Sequence, residues 1–524
     1  MKRHINEIQN TDILQNEVIS CPQYLSQPTT YNLQPRVHPL QPTTYNLQPN
    51  SKQGSLLIQA LIFGTIAIVI IAGLINWVGV NLKATAQTVS REQAFQVAEA
   101  GIEYYRWHLA HSPEDFKDGT SNSGPYVHNM NDKNGVKIGQ FSLSITPPIP
   151  GSTKVILRST GTVVSDPTVS RTIEAELAIQ SIAKFSLLTN ATLRMGAGTE
   201  VFGPVHANGG IHFDGLAHNI ISSALATYND PDYSGSTRHG VYTLVSPADP
   251  VPPTPIQDRP DVFMSGREFP LPAVDFTSIT NDLSDFKTEA ETSGLYFPAS
   301  GKSGYHFVLK PNDTMDVYRV DSLAPVPNGC PKVTGQNGWG GWSVQGETFV
   351  ANYVFPQNGL IFAEDNLWVD GRIDGARITI AAGKFPENQG QGKSITINSS
   401  LLYTNYNGQD SIGLIGQENI NVGLVSADTL RIDAALIAKN GRAGRYYYRP
   451  PEGQNRCAPY HARSSLTLYG MLASNARYGF SYTDSTGYIT RNIIYDANLL
   501  YAPPPNFPLL SSGYSIQSWR EVGK

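Results

Sequence analysis

Charge is absent from Ser55 to Val80, a run flanked by Lys52 and Lys83. Within it Gln59, Thr65 and Asn76 are the clearly polar side chains after Ser55. A helix needs ~20 residues to cross a bilayer, so this run is long enough. The next stretch, "LKATAQTVSREQAFQVAEAGIEYYRWHLAHSP", has no proline before Pro113 and is rich in Ala, Gln and Glu, which favour helix. Phe95, Ala98, Ile102, Tyr105 and Leu109 recur at steps of three and four and share one face. Glu103 and Arg106 can pair one turn apart. The two stretches therefore predict one helix from Ser55 to about His111, ~85 Å long at 1.5 Å per residue. Gly73, Asn76 and Gly79 are its weak points.

Beyond Pro113 the period shortens to two. "KIGQFSLSITPP", "STKVILRSTGTV" and "SRTIEAELAI" alternate apolar and polar residues between Pro/Gly stretches, which predicts antiparallel strands. From about Ala183 strands are short and turns dense. "LWVDGRID", "ITINSSLL", "LRIDAALI" and "LTLYGMLA", starting at Leu367, Ile395, Leu430 and Leu466, share one pattern, and "IHFDGLAH" at Ile211 resembles them loosely. Recurrence of one unit predicts stacked coils, a parallel β-helix-like solenoid; an irregular β-sandwich is the competing architecture. The closing stretch carries Pro503 to Pro505, which cannot join a central strand. It reads as an extended tail across the last coil, tucked down by Trp519.

The expected fold class is α+β: a long transmembrane and amphipathic helix, a small antiparallel sheet, then a large β-rich region. The expected divisions are 1–54, a disordered leader; 55–82, a transmembrane helix; 83–182, helix plus strands; 183–356, a β-rich region with insertions; 357–500, a solenoid; and 501–524, the tail. The first division contains "QPTTYNLQP" twice, at Gln27–Pro35 and Gln41–Pro49, and its Pro, Gln and Asn content predicts disorder. A start assigned too early is the alternative reading of this segment, with no second Met before Met130.

Composition narrows the class. Charged residues are 15%, the net charge is −5, and 47 glycines and 36 prolines favour turns. No basic block points to nucleic acid and no acidic tail to a solvating arm. Of three cysteines, Cys330 and Cys457 follow the apolar run and are the pair available for a disulfide if that part is exported; two unpaired thiols are the alternative.

The junction Lys52-Gln53-Gly54, the charge-free helix and "REQAFQVAEAGIE" (Arg91 to Glu103) together resemble a type IV prepilin. The last segment is similar to the one after the membrane helix of PilX-type minor pilins. The resemblance covers roughly Gln53 to Leu109. It implies cleavage by a prepilin peptidase between Gly54 and Ser55, where a residue without a side chain lets the peptidase reach the backbone. It also implies partners, namely other pilins or pseudopilins meeting the N-terminal helix, and membrane lipid. The localisation it implies is a single pass of the inner membrane, with the head exported to the periplasm or cell surface and associated with a pilus. Two positions depart from the pattern: Ser55 stands where Phe is usual, and Gln59 where Glu is usual. That Glu is thought to meet a neighbour's terminal amine, a pairing that needs charge on both sides. Gln59 therefore suits a minor, tip or initiating subunit better than the abundant one.

Other chemistry is weak. "EDNLWVDGRIDGAR" holds Glu364, Asp365, Asp370 and Asp374 with Arg372 and Arg377, and paired carboxylates could serve as acid and base on a glycoside. Asp370-Gly371 and Asp374-Gly375 are also ordinary turn dipeptides, the reading adopted. Asp230 and Asp232 lack an EF-hand spacing, and His206, His212 and His218 lack a metal-ligand spacing. Tyr446, Tyr447 and Tyr448 with Arg445 and Arg449 form the densest aromatic-basic patch, fit for sugars or for strand-edge packing. The reading is an exported structural protein for fibre initiation, tip display or adhesion, with no catalytic residue, metal or cofactor and an unidentified surface ligand. The alternative is a signal-anchored β-helix enzyme acting on cell-surface polysaccharide.

Overall fold

The computed structural model describes residues 55–149, 152–233, 235–276, 278–330, 336, 339–388, 390–450, 457–510 and 513–523. The chain divides into two compact units, Met1–Gly79 and Val80–Lys524. The described part of the first is helical throughout, within a helix α1 that spans Ser55–His111.

In the second unit, α1 meets a small antiparallel sheet. Its strands are β1 (Tyr126–Asn131), β2 (Lys137–Thr146), β3 (Val155–Val163) and β4 (Asp166–Ala178), in that spatial order. Ala98, Ile102, Tyr105 and Leu109 are buried on the sheet, as the spacing predicts, joined by Ala94 and Val97; Phe95 is only half-buried. Their partners are the alternate residues Phe141, Leu143, Val155, Leu157, Ile173, Ala175 and Leu177. Small residues set the approach. A Cβ on Gly161 would stand 2.1 Å from the Ala94 carbonyl oxygen, and one on Gly101 would stand 2.2 Å from Ser159 Oγ. Glu103 and Arg106 pair at 2.6 Å.

The tail differs from its expected course. Pro503, Pro504 and Pro505 lie buried, and Arg377 donates to the carbonyls of Ala502 and Pro503. Residues Ser515–Val522 then form a fifth strand of the small sheet, antiparallel to β4. Trp519 is not tucked into a coil; it is 55% exposed, its ring 6.0 Å from that of Phe95. Everything between β4 and this last strand is thus an insertion into the small sheet.

The insertion is β-rich. Its parallel pairings build columns of buried apolar side chains. One runs Ile361, Ile380, Leu414, Leu436, Leu472, Leu187, Val205, Ile221. A second runs Leu401, Ile432, Leu468, Ile493, Val201, Ala217. A third runs Leu367, Ile395, Ile420, Ala443. The first two pass from residues near 472–493 back to residues 187–201. The regions expected at 183–356 and 357–500 therefore share one sheet.

Of the four repeated segments, Leu367 pairs with Ile395 and Leu430 with Leu466. Ile395 pairs instead with Ile420, while Ile432 lies beside Leu401, so the middle step of the repeat is not one register. Strands such as Ser411–Gly416 are buried along their whole length. Parallel strands covered on both faces lose the alternation of half-exposed ones. The cover is a helix α2, Ser278–Ser293, whose Leu283, Phe286 and Ala290 sit against Leu360, Phe362, Ala381 and Ile415, with Leu499 and Phe507 beside them.

Candidate membrane-anchoring helix

The apolar part of α1 is the segment with the clearest functional chemistry. Among the described residues it is the one helix long and apolar enough to cross a membrane. Leu56, Phe63, Val69 and Val80 are all about 70% exposed. Such surface is costly in water, at roughly 25 cal/mol per Å², and is at home in lipid or against other apolar helices. A single long apolar N-terminal helix is consistent with membrane anchoring. Its backbone is satisfied internally, as a bilayer demands. Thr65 Oγ1 donates to the Ile62 carbonyl at 2.8 Å, which removes one polar group from competition. The Gln59 side chain makes no hydrogen bond among the described residues. Gly64, Gly73 and Gly79 leave open space where a Cβ would stand, so another backbone can approach there. Of the expected processing pair, Gly54 lies outside the described residues, and Ser55 is the first residue of α1.

The carboxylates considered for catalysis are spread over separate partners. Glu364 takes Lys287 Nζ at 2.5 Å. Asp365 accepts the Ser300 amide and hydroxyl. Asp374 accepts Asn405 Nδ2 at 2.8 Å. Asp370 faces His306 Nε2 at 3.2 Å, while His306 Nδ1 stands 2.9 Å from Glu347 Oε2. A neutral imidazole has one N–H, so both contacts are hydrogen bonds only in the imidazolium. Burial pulls the His306 pKa down, but Asp370 and then Glu347 outweigh it and hold it above the ordinary value. Sequence spacing offers no hint of this histidine, which lies far from either carboxylate in the chain.

The other sequence candidates are also engaged by protein partners. His212 is buried with Nε2 2.8 Å from Asp214, and Asp230 accepts the Tyr242 hydroxyl at 2.5 Å. Asp232 accepts from Arg477. His218 pairs with Glu200 at 2.7 Å. No group of three or more metal-capable side chains exists among the described residues.

Three of the five members of the aromatic-basic patch are internal, while Tyr447 is half-buried and Arg449 exposed. Arg445 is fully buried, and Tyr446 and Tyr448 nearly so. Arg445 donates to the carbonyls of Gly423, Leu424 and Tyr460 and to Ser426 Oγ. Burial lowers its pKa to about 10, and its guanidinium lies 4.9 Å from the Tyr448 ring centroid. Beside it Cys330 and Cys457 are joined by a disulfide, packed with Leu424, Tyr446 and Tyr448.

No family model matches the chain. No curated protein matches it either. Among solved structures it is similar to the crystal structure of the competence-associated pilin ComZ from Thermus thermophilus. That match has a TM-score of 0.31 and 13% identity, and covers 83% of this chain and 97% of that one.

Proposed function

We propose that this protein is an exported, membrane-anchored minor pilin or pseudopilin-like subunit, with a structural role at a fibre's tip, initiation complex or adhesive surface. The observation that carries the reading is the change of environment along α1. Its side chains are exposed and apolar from Leu56, and from Ala94 to Leu109 one face is buried on an antiparallel sheet. A lipid-soluble half followed by a water-soluble half is what an anchored subunit needs to leave the membrane and join other helices. In this reading a prepilin peptidase cuts between Gly54 and Ser55, and other pilins and lipid contact the apolar half. The three apolar columns are read as walls of a parallel β-solenoid that displays its surface outside the cell.

The protein carries out no turnover in this reading. The dispersal of Glu364, Asp365, Asp370 and Asp374 over separate partners supports this, because glycoside chemistry needs two carboxyl groups converging on one bond. The test is mass spectrometry of the native protein recovered from sheared surface fibres and from membranes. A terminus at Ser55 in the fibre fraction is expected. A full-length chain confined to membranes would overturn the proposal.

A further inference from the structure

A cavity of about 1230 Å³ opens where the inserted body meets the small sheet. The chain entering the body lines it with Ile182, Lys184 and Phe185, and the chain leaving it, hydrogen-bonded alongside from Ile182 N to the Pro508 carbonyl, lines it with Phe507 and Leu509. Helix α2 contributes Asp285, Phe286 and Glu289, and the loop before it contributes Asp275. We propose that this cavity is a binding groove for an extended peptide segment that is basic and carries apolar side chains.

Size argues for a peptide. Sites for small molecules occupy roughly 300–1000 Å³, and this one is larger and open. Charge sets the sign. Asp275, Asp285 and Glu289 stand at the cavity against one ammonium, Lys184, whose Nζ already lies over the Phe185 ring at 4.9 Å. His206 in the floor adds no positive charge. It is buried and stacked on Phe185, and that burial holds its pKa below the ordinary value. Its tautomer follows from its neighbours. Ser222 Oγ donates to the Val205 carbonyl, so His206 Nδ1 is the donor to Ser222 Oγ at 2.9 Å. That leaves His206 Nε2 an acceptor, and it has no partner among the described residues. A donor-bearing cation matches an acceptor in the floor and carboxylates at the rim, while the apolar walls take its side chains. Glu289 accepts from Asn506 Nδ2 of the leaving chain.

Asp285 is the residue to change, since it is exposed and its side chain makes no hydrogen bond or ion pair among the described residues. The experiment uses the full-length protein in detergent and two fluorescein-labelled peptides, acetyl-Phe-Arg-Phe-Arg-Phe amide and acetyl-Phe-Glu-Phe-Glu-Phe amide, read by anisotropy. The basic peptide is expected to bind saturably and at least tenfold more tightly than the acidic one. Asp285→Lys is expected to weaken it several-fold with an unchanged circular dichroism spectrum, an effect that partition into micelles would not show. Equal affinity for the two peptides, or indifference to Asp285→Lys, would overturn the proposal. Neither result bears on cleavage at Gly54 or on assembly through α1.

Discussion

Gly161→Ala adds one methyl group where α1 crosses β3. The new Cβ would stand 2.1 Å from the Ala94 carbonyl oxygen and 2.5 Å from the Ala98 amide nitrogen. Both are backbone atoms of a helix, so no side chain can swing aside, and α1 or β3 must move by about 1 Å to restore ordinary contact. Overpacking of this kind costs roughly 1–3 kcal/mol. The Gly161 backbone is not in the left-handed region, so alanine itself suits the conformation. At an open site the same change should stabilise by ~0.4–1 kcal/mol through the unfolded chain. Gly196, where an added Cβ would meet nothing within 4 Å, provides that control. The assay is hydrogen exchange of the β3 amides under conditions where exchange reports the opening equilibrium. A loss of ~1–3 kcal/mol accelerates exchange roughly 5- to 150-fold, at tenfold per 1.4 kcal/mol. Gly196→Ala should leave it unchanged or slower. If Gly161→Ala exchanges like the wild type, the close approach of α1 and β3 does not hold, and the burial of Ala94 and Ala98 falls with it.

Gly54→Val should leave the first 54 residues attached, seen as a larger species on immunoblots of membranes. Gln59→Glu should raise incorporation into fibres, counted in sheared fractions, because the fifth residue of the cleaved chain regains a charge. Arg445→Met should lower the urea midpoint markedly, since it strands the buried carbonyls of Gly423 and Leu424 at ~1–3 kcal/mol each, and the half-buried Tyr460 carbonyl beside them. The His306 imidazolium should stabilise the sheet: with a pKa raised by folding, its contribution is complete below the unfolded value of about 6.5 and is lost as pH rises through the folded value. Melting of His306→Gln should therefore fall furthest below wild type at pH 6 and converge with it at pH 9; a difference independent of pH would refute the bridged geometry.

What is legible in the chain depends on distance along it. The helix is written in composition and in a period of three to four, both local, and α1 ends at His111 as that period predicts. The small sheet is written in alternation. Helix α2 escapes such a reading although Leu283, Phe286 and Ala290 carry helical spacing, because polar residues outnumber them and the segment lies among turns. Nothing in the sequence marks Arg445 as buried, since charge is normally exposed. The carbonyls that accept it belong to loops, and no pattern in the sequence announces a carbonyl. The disulfide pair is nameable only because two cysteines follow the apolar run. The passage of the columns from Leu472 to Leu187 has no signal at all. Parallel neighbours need no adjacency in sequence, and a reading made in chain order stacks Leu187 at the start of the body rather than beyond its last long strand.

That stacking has a mechanical consequence. A body attached by one strand could turn about its connection. Here the chain enters after β4 and returns to pair with β4, so its two connections lie side by side. They are bonded to each other: Ser181 bridges Leu509, Ile182 N donates to the Pro508 carbonyl, and Leu510 N donates to the Gln180 carbonyl. The returning strand is then locked to β4 through Glu174, which receives Arg158 from one side and Arg520 from the other. These arginines are well exposed, so each pair by itself contributes little. Their effect is on geometry, because two guanidinium groups converge on one nearly buried carboxylate and fix the register of the last strand. Load applied to the body therefore reaches the small sheet through two strands in parallel, and separating them requires breaking the β4 ladder rather than swinging a hinge.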